Sequence, residues 1–257
     1  MIAERDSETS VDAVLGGRLR LRQPLAGHRV GHDAILLAAA TTARSGEQAV
    51  DLGAGVGGAG LALARRVAGL CVSLVEIDPA LAALAAENAT LNNLQDRVTA
   101  LACDAEDKVA LATAGLAQAS IDRVLMNPPF RDILRQNVSP DPRRRLAHAA
   151  APGLIDRWIA SADFLLKPGG TLTLIFRADG LEEVLAALGG RFGDIAVLPV
   201  LPRSDKPAIR VLVAAVKGGQ GARVDRPALV LNDLDNRPSA AAEAVLRAGE
   251  TLRLSAE

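Results

Sequence analysis

The stretch VDLGAGVGG, residues 50–58, determines the fold that we predict for this chain. Its apolar start is typical of a buried strand, and Gly53, Gly55 and Gly58 follow with the spacing G-x-G-x-x-G. Glycine allows a tight turn and lets the backbone approach a ligand at the N-terminus of the next helix. The stretch therefore predicts a strand, a glycine turn and a helix that together bind a ligand.

Two acidic residues follow at positions that fit a ligand containing adenosine. Glu76 is at the expected exposed end of the next apolar segment, 70–77, roughly 20 residues beyond the turn, where a carboxylate can accept hydrogen bonds from both ribose hydroxyls. Asp104 follows the third apolar segment, 97–103, and suits the adenine amino group, although it could equally cap the following helix. NAD and S-adenosylmethionine both contain adenosine, so these residues leave both cofactors open.

Apolar strands alternate with helical patterns from residue 48 onward. Strands are predicted at Gln48–Leu52, 70–77, 97–103, Ile121–Met126, 171–176, 195–201 and 209–216. Helices are predicted at 57–67, 78–92, 154–166 and Leu181–Leu188, with a further helical run at 240–247. This alternation predicts an α/β fold with a Rossmann-like, doubly wound, mostly parallel sheet. The last two strands lack a helix between them, so we expect an antiparallel pair at the C-terminal edge.

The segment IDRVLMNPPFRD, residues 121–132, ends a strand in Asn127, Pro128, Pro129 and Phe130. In a doubly wound sheet this strand lies beside the first one, so its carboxyl end faces the cofactor crevice. The Asn127 side-chain oxygen and the Pro128 carbonyl could accept the two hydrogens of a planar amino group. The prolines fix the backbone and remove competing N–H donors, and Phe130 could stack on a base or amide plane. These four residues predict a catalytic site for methyl transfer to an amino nitrogen.

The segment 121–132 also distinguishes between NAD and S-adenosylmethionine as the cofactor. A dehydrogenase usually needs a positioned proton donor, yet the chain has no Tyr and only three His, at positions outside the predicted core strands. An N-P-P-F turn has no role in hydride chemistry. We therefore predict S-adenosyl-L-methionine as the cofactor.

The motifs VDLGAGVG, VEIDP, CDAED and VLMNPPF, in this order, closely resemble the class I S-adenosylmethionine-dependent methyltransferases of the N-P-P-aromatic kind, with the "methyltransferase small" subgroup as the nearest match. The segment GHRVGHDAILLAAA, residues 27–40, and the tail PALVLNDLDNRPSAAAEAVLR are similar to bacterial tRNA (adenine-N6)-methyltransferases that modify valine tRNA. The likeness covers roughly residues 15–250 and implies the class I methyltransferase fold.

The resemblance also implies roles for individual residues. Gly53 and Gly55 would lie beside the methionine and ribose, with Asp51 supporting their turn, while Glu76 would bind the ribose and Asp104 the adenine. The implied cofactor contacts are Asp33, Asp51, Gly53, Gly55, Glu76, Asp104 and Asn127. Asp33 could instead cap the helix that begins beside it.

The chain departs from the family pattern at a few positions near the implied target pocket. Relatives more often have Tyr in place of Phe130, followed by a second aromatic residue where this chain has Arg131. Asn232 and Pro238 stand where His and Tyr are expected in the tail. These departures concern the substrate and not the cofactor.

A run of arginines follows the N-P-P-F segment: Arg131, Arg135, Arg143, Arg144 and Arg145. Lys206 and Arg210 add charge near a late strand. The run could hold phosphates around an extruded base, or it could be a solvated loop, since Asp132 and Asp141 are interleaved. Aromatic residues make up 2% of the chain, which argues against an extended stacking platform and favours a structured RNA that offers one flipped base.

The composition limits the location and partners of the protein. The formal net charge is −1, so nucleic-acid binding must come from a local patch. The two cysteines and three histidines lack the spacing of metal ligands, and we expect no metal. The polar start is unlike a signal peptide, and no apolar run approaches the roughly 20 residues of a membrane span. We therefore expect a cytoplasmic protein without a membrane partner.

Together these patterns predict one methyltransferase domain, 1–257, with a cofactor-covering segment at 1–46, a core at 47–217 and a C-terminal extension at 218–257. The predicted activity is methylation of an exocyclic amino group, with adenine N6 in tRNA as the first candidate. Alternatives are guanine N2 in rRNA, adenine in DNA, a protein glutamine amide, or a non-catalytic RNA-binding module with a vestigial cofactor fold. The sequence does not indicate the oligomeric state.

Overall fold

The computed structural model describes residues 9–26, 29–129 and 153–254. Within these residues the strands are β1 Thr9–Val14, β2 Leu19–Pro24, β3 Gln48–Leu52, β4 Cys71–Glu76, β5 Val98–Ala102, β6 Ile121–Met126, β7 Leu166–Arg177, β8 Phe192–Arg203, β9 Arg210–Lys217, β10 Val224–Asp225 and β11 Leu229–Asn232. The α-helices are α1 His32–Ala40, α2 Gly58–Arg66, α3 Pro79–Leu91, α4 Lys108–Thr113, α5 Leu154–Leu165, α6 Leu181–Leu188 and α7 Ala240–Leu246.

The central sheet has the order β10-β8-β9-β7-β6-β3-β4-β5, with β11 also pairing with β8. Strand β3 pairs in parallel with β4 on one side and with β6 on the other. The chain therefore winds away from β3 in both directions, which is the topological switch point of a doubly wound sheet. The predicted α/β fold with a mostly parallel sheet is confirmed, and its ligand crevice lies at the carboxyl ends of β3 and β6.

The C-terminal strands β8 and β9 form the predicted antiparallel pair on the outer side of β7, and two short strands extend it. Strand β9 lies between β7 and β8 and is antiparallel to both. Strands β10 and β11 then add to β8 in parallel. The sequence pattern missed them because β10 and β11 are only two and four residues long.

Helices cover both faces of the sheet and create two apolar layers. On one face, Leu37 of α1, Leu63 of α2 and Ala85 of α3 belong to the same buried cluster. On the other face, Ile159 of α5 and Leu188 of α6 belong to a second cluster. Coverage on both faces explains why β4 reads as a nearly continuous apolar run.

Local sequence signals predict the start of α3 and the end of α5 closely. Asp78 caps α3, since its carboxylate accepts a hydrogen bond from the Ala80 N–H at 2.9 Å, and Pro79 occupies the first helical position. Helix α5 ends at Leu165, close to the predicted stop. The predicted ranges left residues 167–170 between this helix and the next strand. Instead, this Lys-Pro-Gly-Gly segment forms the irregular start of β7, where Leu166 already pairs with Ile121.

The N-terminal residues form a hairpin that the sequence analysis did not predict. Strands β1 and β2 pair antiparallel around a short 3-10 turn, Leu15–Gly17. Two asparagine side chains of α3 bind the backbone of β2: Asn88 accepts from Arg22 N–H at 2.6 Å, and Asn92 accepts from Arg20 N–H at 2.9 Å. The same two amides donate to the Arg22 and Arg20 carbonyls at 3.0 and 2.7 Å. The hairpin is thereby fixed to the core by paired hydrogen bonds like those of a neighbouring strand.

Candidate functional site

The glycine turn joins β3 to α2 through backbone conformations that favour glycine. Gly53, Gly55 and Gly57 all have positive φ, at 70°, 57° and 90°, and Gly57 is the N-cap of α2. The Ala54 N–H donates to the Val75 carbonyl at 2.9 Å, so the turn is tied to the end of β4. A Cβ on Gly55 would meet nothing within 4 Å, which leaves space beside the turn for a ligand.

Glu76 holds the other side of this turn. Its Oε2 accepts from the Gly55 N–H at 2.8 Å, and its Oε1 accepts from the Asp78 N–H at 2.9 Å. The residue is only 8% exposed, so the expectation of an exposed strand end is wrong; the two backbone donors and the turn enclose the carboxylate. Each carboxylate oxygen has a further lone pair, so Glu76 can still accept from ligand hydroxyls.

Asp51 lies beneath the turn and is 2% exposed. Its Oδ2 accepts from the Gly60 N–H in the first turn of α2 at 2.8 Å. A Cβ on Gly60 would lie 2.3 Å from Leu74 Cδ2 and 3.1 Å from the Asp51 carboxylate, so only glycine allows this approach. Burial raises the pKa of Asp51 to about 7; the Gly60 hydrogen bond opposes this shift and the nearby charge of Glu76 adds to it.

Asp104 follows β5 at the same edge of the sheet as Glu76. The Cys103 N–H before it donates to the Glu76 carbonyl at 3.0 Å. Its Oδ1 accepts from the Glu106 N–H at 2.8 Å, and α4 is capped instead by Asp107, which accepts from two helical N–H groups. The helix-cap interpretation of Asp104 is therefore wrong, and its second carboxylate oxygen has no protein partner within the described ranges.

A contact that the sequence analysis missed connects α5 to this loop and to the glycine turn. Trp158 lies on α5, and its ring packs against Gly53. Its indole N–H donates to Glu106 Oε1 at 3.2 Å, and Arg157 pairs with the other oxygen of Glu106. Single-sequence patterns could not reveal this cluster, because Glu106 and Trp158 are 52 positions apart.

Asn127 follows β6, directly beside the glycine turn. Leu52 and Met126 pair in register, so Gly53 and Asn127 leave the sheet side by side. The Asn127 side-chain oxygen is buried and has no hydrogen-bond partner among the residues that the structure describes. Such an acceptor is costly unless a ligand satisfies it. Pro128, the next residue, is buried as well.

Several predicted site residues lie outside the described residues. These are Phe130, Arg131, Arg135, Arg143, Arg144 and Arg145. Of the two further cations, Arg210 begins β9 and pairs with Asp33 at 2.9 Å, while Lys206 lies in the turn before it.

Asp33 lies in the first turn of α1, near the start of α2. Gly31 is the N-cap of α1 and no side chain caps it, so the alternative role of Asp33 as a helix cap is wrong. A Cβ on Gly58 would come within 2.8 Å of both Val30 methyl groups, which shows how tightly the segment before α1 packs on the first residue of α2. Asp33 is placed near the turn, but its carboxylate binds the Arg210 guanidinium.

The sequence profile of the methyltransferase small domain family matches residues 27–199, from the segment before α1 into β8. The chain belongs to this family. The recognition of the motifs in the sequence is thereby confirmed, and so is the prediction of a methyltransferase that uses S-adenosyl-L-methionine.

Individual members and neighbours agree with this assignment. The tRNA1(Val) (adenine(37)-N6)-methyltransferase of Dickeya chrysanthemi is 29% identical over 230 residues, which cover 85% of this chain and 86% of that protein. Relatives of the same name from other bacteria are 27% to 32% identical. The crystal structure of a predicted O-methyltransferase, protein Atu636 from Agrobacterium tumefaciens, superposes with a TM-score of 0.72 at 27% identity and covers 86% of this chain and 98% of its own.

A more distant neighbour shares the fold alone. The geranyl diphosphate C-methyltransferase of Streptomyces coelicolor, in complex with S-adenosyl-L-homocysteine, is 16% identical with a TM-score of 0.50, covering 72% of this chain and 75% of its own. In the present chain the crevice has features that suit a nucleoside cofactor, namely open space beside Gly55 and a buried carboxylate at Glu76.

Across 9–26, 29–129 and 153–254, no helix is both long and apolar enough to cross a membrane. The same ranges contain no group of three or more His, Cys, Asp or Glu side chains suited to a metal ion.

Proposed function

We propose that this protein transfers the methyl group of S-adenosyl-L-methionine to an exocyclic amino nitrogen, and that the target is adenine N6 in tRNA. The observation that carries the proposal is the buried, unsatisfied side-chain oxygen of Asn127 at the switch point of the sheet. An amino group would donate one hydrogen to this oxygen and its second hydrogen to the Pro128 carbonyl, whereas a hydroxyl has one hydrogen for the two acceptors.

The chemistry follows from the acceptors at this edge. An amino group on a purine is planar, and its lone pair is delocalised into the ring, so it is a weak nucleophile. Asn127 and the Pro128 carbonyl would accept its two hydrogens, orient the nitrogen and favour positive charge on it as it attacks. Pro128 and Pro129 have no N–H groups, so they offer no donor that competes with the substrate.

The cofactor would be held by residues of the turn and of the neighbouring strand ends. Glu76 would accept from the ribose hydroxyls while keeping its bonds to Gly55 and Asp78, and Asp104 would accept from the adenine amino group with its second oxygen. When bound there, S-adenosyl-L-methionine supplies the activated methyl group. Trp158 and Glu106 would keep the adenine loop and the glycine turn in a fixed relation.

The choice of tRNA rests on the relatives and on charge. Relatives that cover most of this chain are named tRNA1(Val) (adenine(37)-N6)-methyltransferases. The predicted phosphate contacts are Arg131, Arg135, Arg143, Arg144 and Arg145, which directly follow the target motif in the sequence. A tRNA substrate would place the protein in the cytoplasm.

The test is methyl transfer from labelled S-adenosyl-L-methionine to separated tRNA, rRNA, DNA and protein fractions. We expect label in tRNA, recovered as N6-methyladenosine after digestion to nucleosides. Label in a ribose or carboxyl oxygen would contradict amino-group chemistry. That result would instead agree with the name of the Agrobacterium tumefaciens neighbour, a predicted O-methyltransferase. Label in rRNA, DNA or protein as an N-methyl product would keep the chemistry and reject tRNA.

A further inference from the structure

A second cavity lies away from the crevice, between the hairpin turn, α1, α2 and α7. Its volume is about 490 Å³. Its lining includes Arg18, Arg65 and Arg66 together with apolar side chains of α1, α2 and α7. Ligand sites typically measure about 300–1,000 Å³, so a small molecule would fit. Arg65 and Arg66 lie at the C-terminal end of α2, roughly 12 Å along the helix from the glycine turn.

Two arginine side chains of this cavity are held by backbone carbonyls and not by a carboxylate. Arg66 donates from Nη2 to the carbonyls of Ala38, at 2.8 Å, and of Thr41, while its Nε is buried and has no partner among the described residues. Arg18 donates from Nη1 to the Ala248 carbonyl. Carbonyl acceptors orient a guanidinium but bring no negative charge to it.

The third arginine, Arg65, is exposed at the rim. It forms neither a hydrogen bond nor an ion pair with any other described residue. Three arginines line one cavity, and its lining residues include no Asp or Glu. Like charges brought together repel each other, and a bound anion would relieve that repulsion.

The floor of the cavity is apolar. Ile35, Ala38, Ala39 and Ala62 from the two facing helices, together with Val245 of α7, are each at most 6% exposed. Such a floor would leave a bare phosphate or an RNA backbone phosphate without a matching surface, but it suits a hydrocarbon or ring. The combination of apolar floor and arginine rim therefore selects an amphiphilic anion.

We propose that this cavity is a second binding site, for a small organic anion whose apolar body lies on the α1–α2 floor and whose carboxylate or phosphate head lies between Arg18, Arg65 and Arg66. This site does not depend on the proposed methylation activity. The ligand would bind without displacing the cofactor, because the cavity and the crevice lie at opposite ends of α2.

The probes are octanoate, octyl phosphate, octanol and inorganic phosphate, each titrated into the full-length protein by calorimetry. We expect octanoate or octyl phosphate to bind at least tenfold more tightly than octanol and inorganic phosphate. Only octanoate and octyl phosphate have both an apolar chain and an anionic head group. Comparing the two anions identifies the preferred head group. Octanol binding as tightly as octanoate would overturn the proposal, as would inorganic phosphate binding as tightly as octyl phosphate.

A matched pair of variants tests the role of the arginines. Arg65→Gln removes the free cation at the rim and should weaken binding of the preferred anion about tenfold, with an unchanged melting temperature because Arg65 is exposed. Arg191→Gln makes the same change in charge at an exposed arginine before β8, outside the cavity, and should leave binding unchanged. Equal affinity in the two variants would contradict the site. Displacement of the bound anion by tRNA would also contradict it, and would assign the cavity to RNA phosphates.

Discussion

The ring of Trp158 lies so close to Gly53 that a Cβ on Gly53 would stand 2.3 Å from Trp158 Cη2. The indole N–H of the same ring donates to Glu106, in the loop that begins with Asp104. One side chain from α5 therefore links the turn that would hold the methionine and ribose to the loop that would hold the adenine. A substitution of either Gly53 or Trp158 would therefore disturb this contact.

Gly53→Ala should destabilise the protein more than Gly55→Ala does. Both glycines have positive φ, which costs an alanine roughly 1–2 kcal/mol, but only Gly53 has Trp158 against it. Thermal unfolding of both variants measures the difference directly. Similar losses of melting temperature in the two variants would mean that the ring moves aside at little cost.

Glu76→Ala should weaken S-adenosyl-L-methionine binding tenfold or more, since a charge-assisted hydrogen bond contributes roughly 1.5–3 kcal/mol. The buried position of Glu76 adds a second effect. The Gly55 and Asp78 N–H groups lose their acceptor, so the free energy of unfolding should fall as well. Glu76→Gln is the control, because one oxygen remains to accept while the charge is lost. Calorimetry measures the cofactor affinity, and thermal unfolding measures the stability. Normal cofactor binding by the alanine variant would contradict this account.

The pH dependence of stability should carry the signature of Asp51. Its pKa is about 7 in the folded protein, against 3.8 for an unperturbed carboxyl, because burial disfavours the charged form. Between these values the folded protein holds a proton that the unfolded chain has released. The contribution of this bound proton to the free energy of unfolding is fully present below about pH 4 and is lost as the pH rises through about 7. The free energy of unfolding falls by at most about 1.4 kcal/mol per pH unit.

Asp51→Asn should remove this loss, so that the free energy of unfolding falls less between pH 4.5 and 7.5 than in the parent, as measured by urea denaturation across that range. Asp235→Asn, at a carboxyl that is 75% exposed, is the control and should follow the parent. Parallel curves for parent and Asp51→Asn would show that the buried carboxyl does not titrate in this range.

Local chemistry made much of the core predictable. The glycine turn, the Asp78-Pro79 start of α3 and the acidic residue at the end of β4 are each encoded within a few adjacent residues. The parallel order around β3 followed from the alternation of strands and helices, since such connections wind in one hand.

The remaining features depend on contacts between distant parts of the chain. Asn88 and Asn92 look like ordinary helix residues until they bind the backbone of β2, 66 and 72 positions away. The position of β9 likewise depends on its pairing with β7, from which β8 separates it in the sequence. Glu106 was not singled out, because its role needs Trp158 beside it.

The predicted RNA contacts can be tested by their response to salt. Replacing Arg143, Arg144 and Arg145 with alanine should weaken tRNA binding and flatten its salt dependence, because each lost phosphate contact lowers the log–log slope by roughly 0.7–0.9. Cofactor affinity should be unchanged. The measurement is tRNA affinity at several salt concentrations, and an unchanged slope would make this run a solvated loop.

The role of Asn127 should appear in the chemical step. If its buried oxygen accepts from the target amino group, the interaction strengthens as charge develops on the nitrogen, so Asn127→Ala should keep most cofactor and tRNA affinity but lose kcat by about 100-fold or more. Phe130→Ala should instead lose roughly 1–3 kcal/mol of stacking, which lowers substrate affinity together with the rate. Single-turnover methylation with enzyme in excess separates the two effects. If Asn127→Ala methylates saturating tRNA at the parent rate, the orphaned oxygen is not the group that orients the substrate, and the N-P-P-F segment is only a turn.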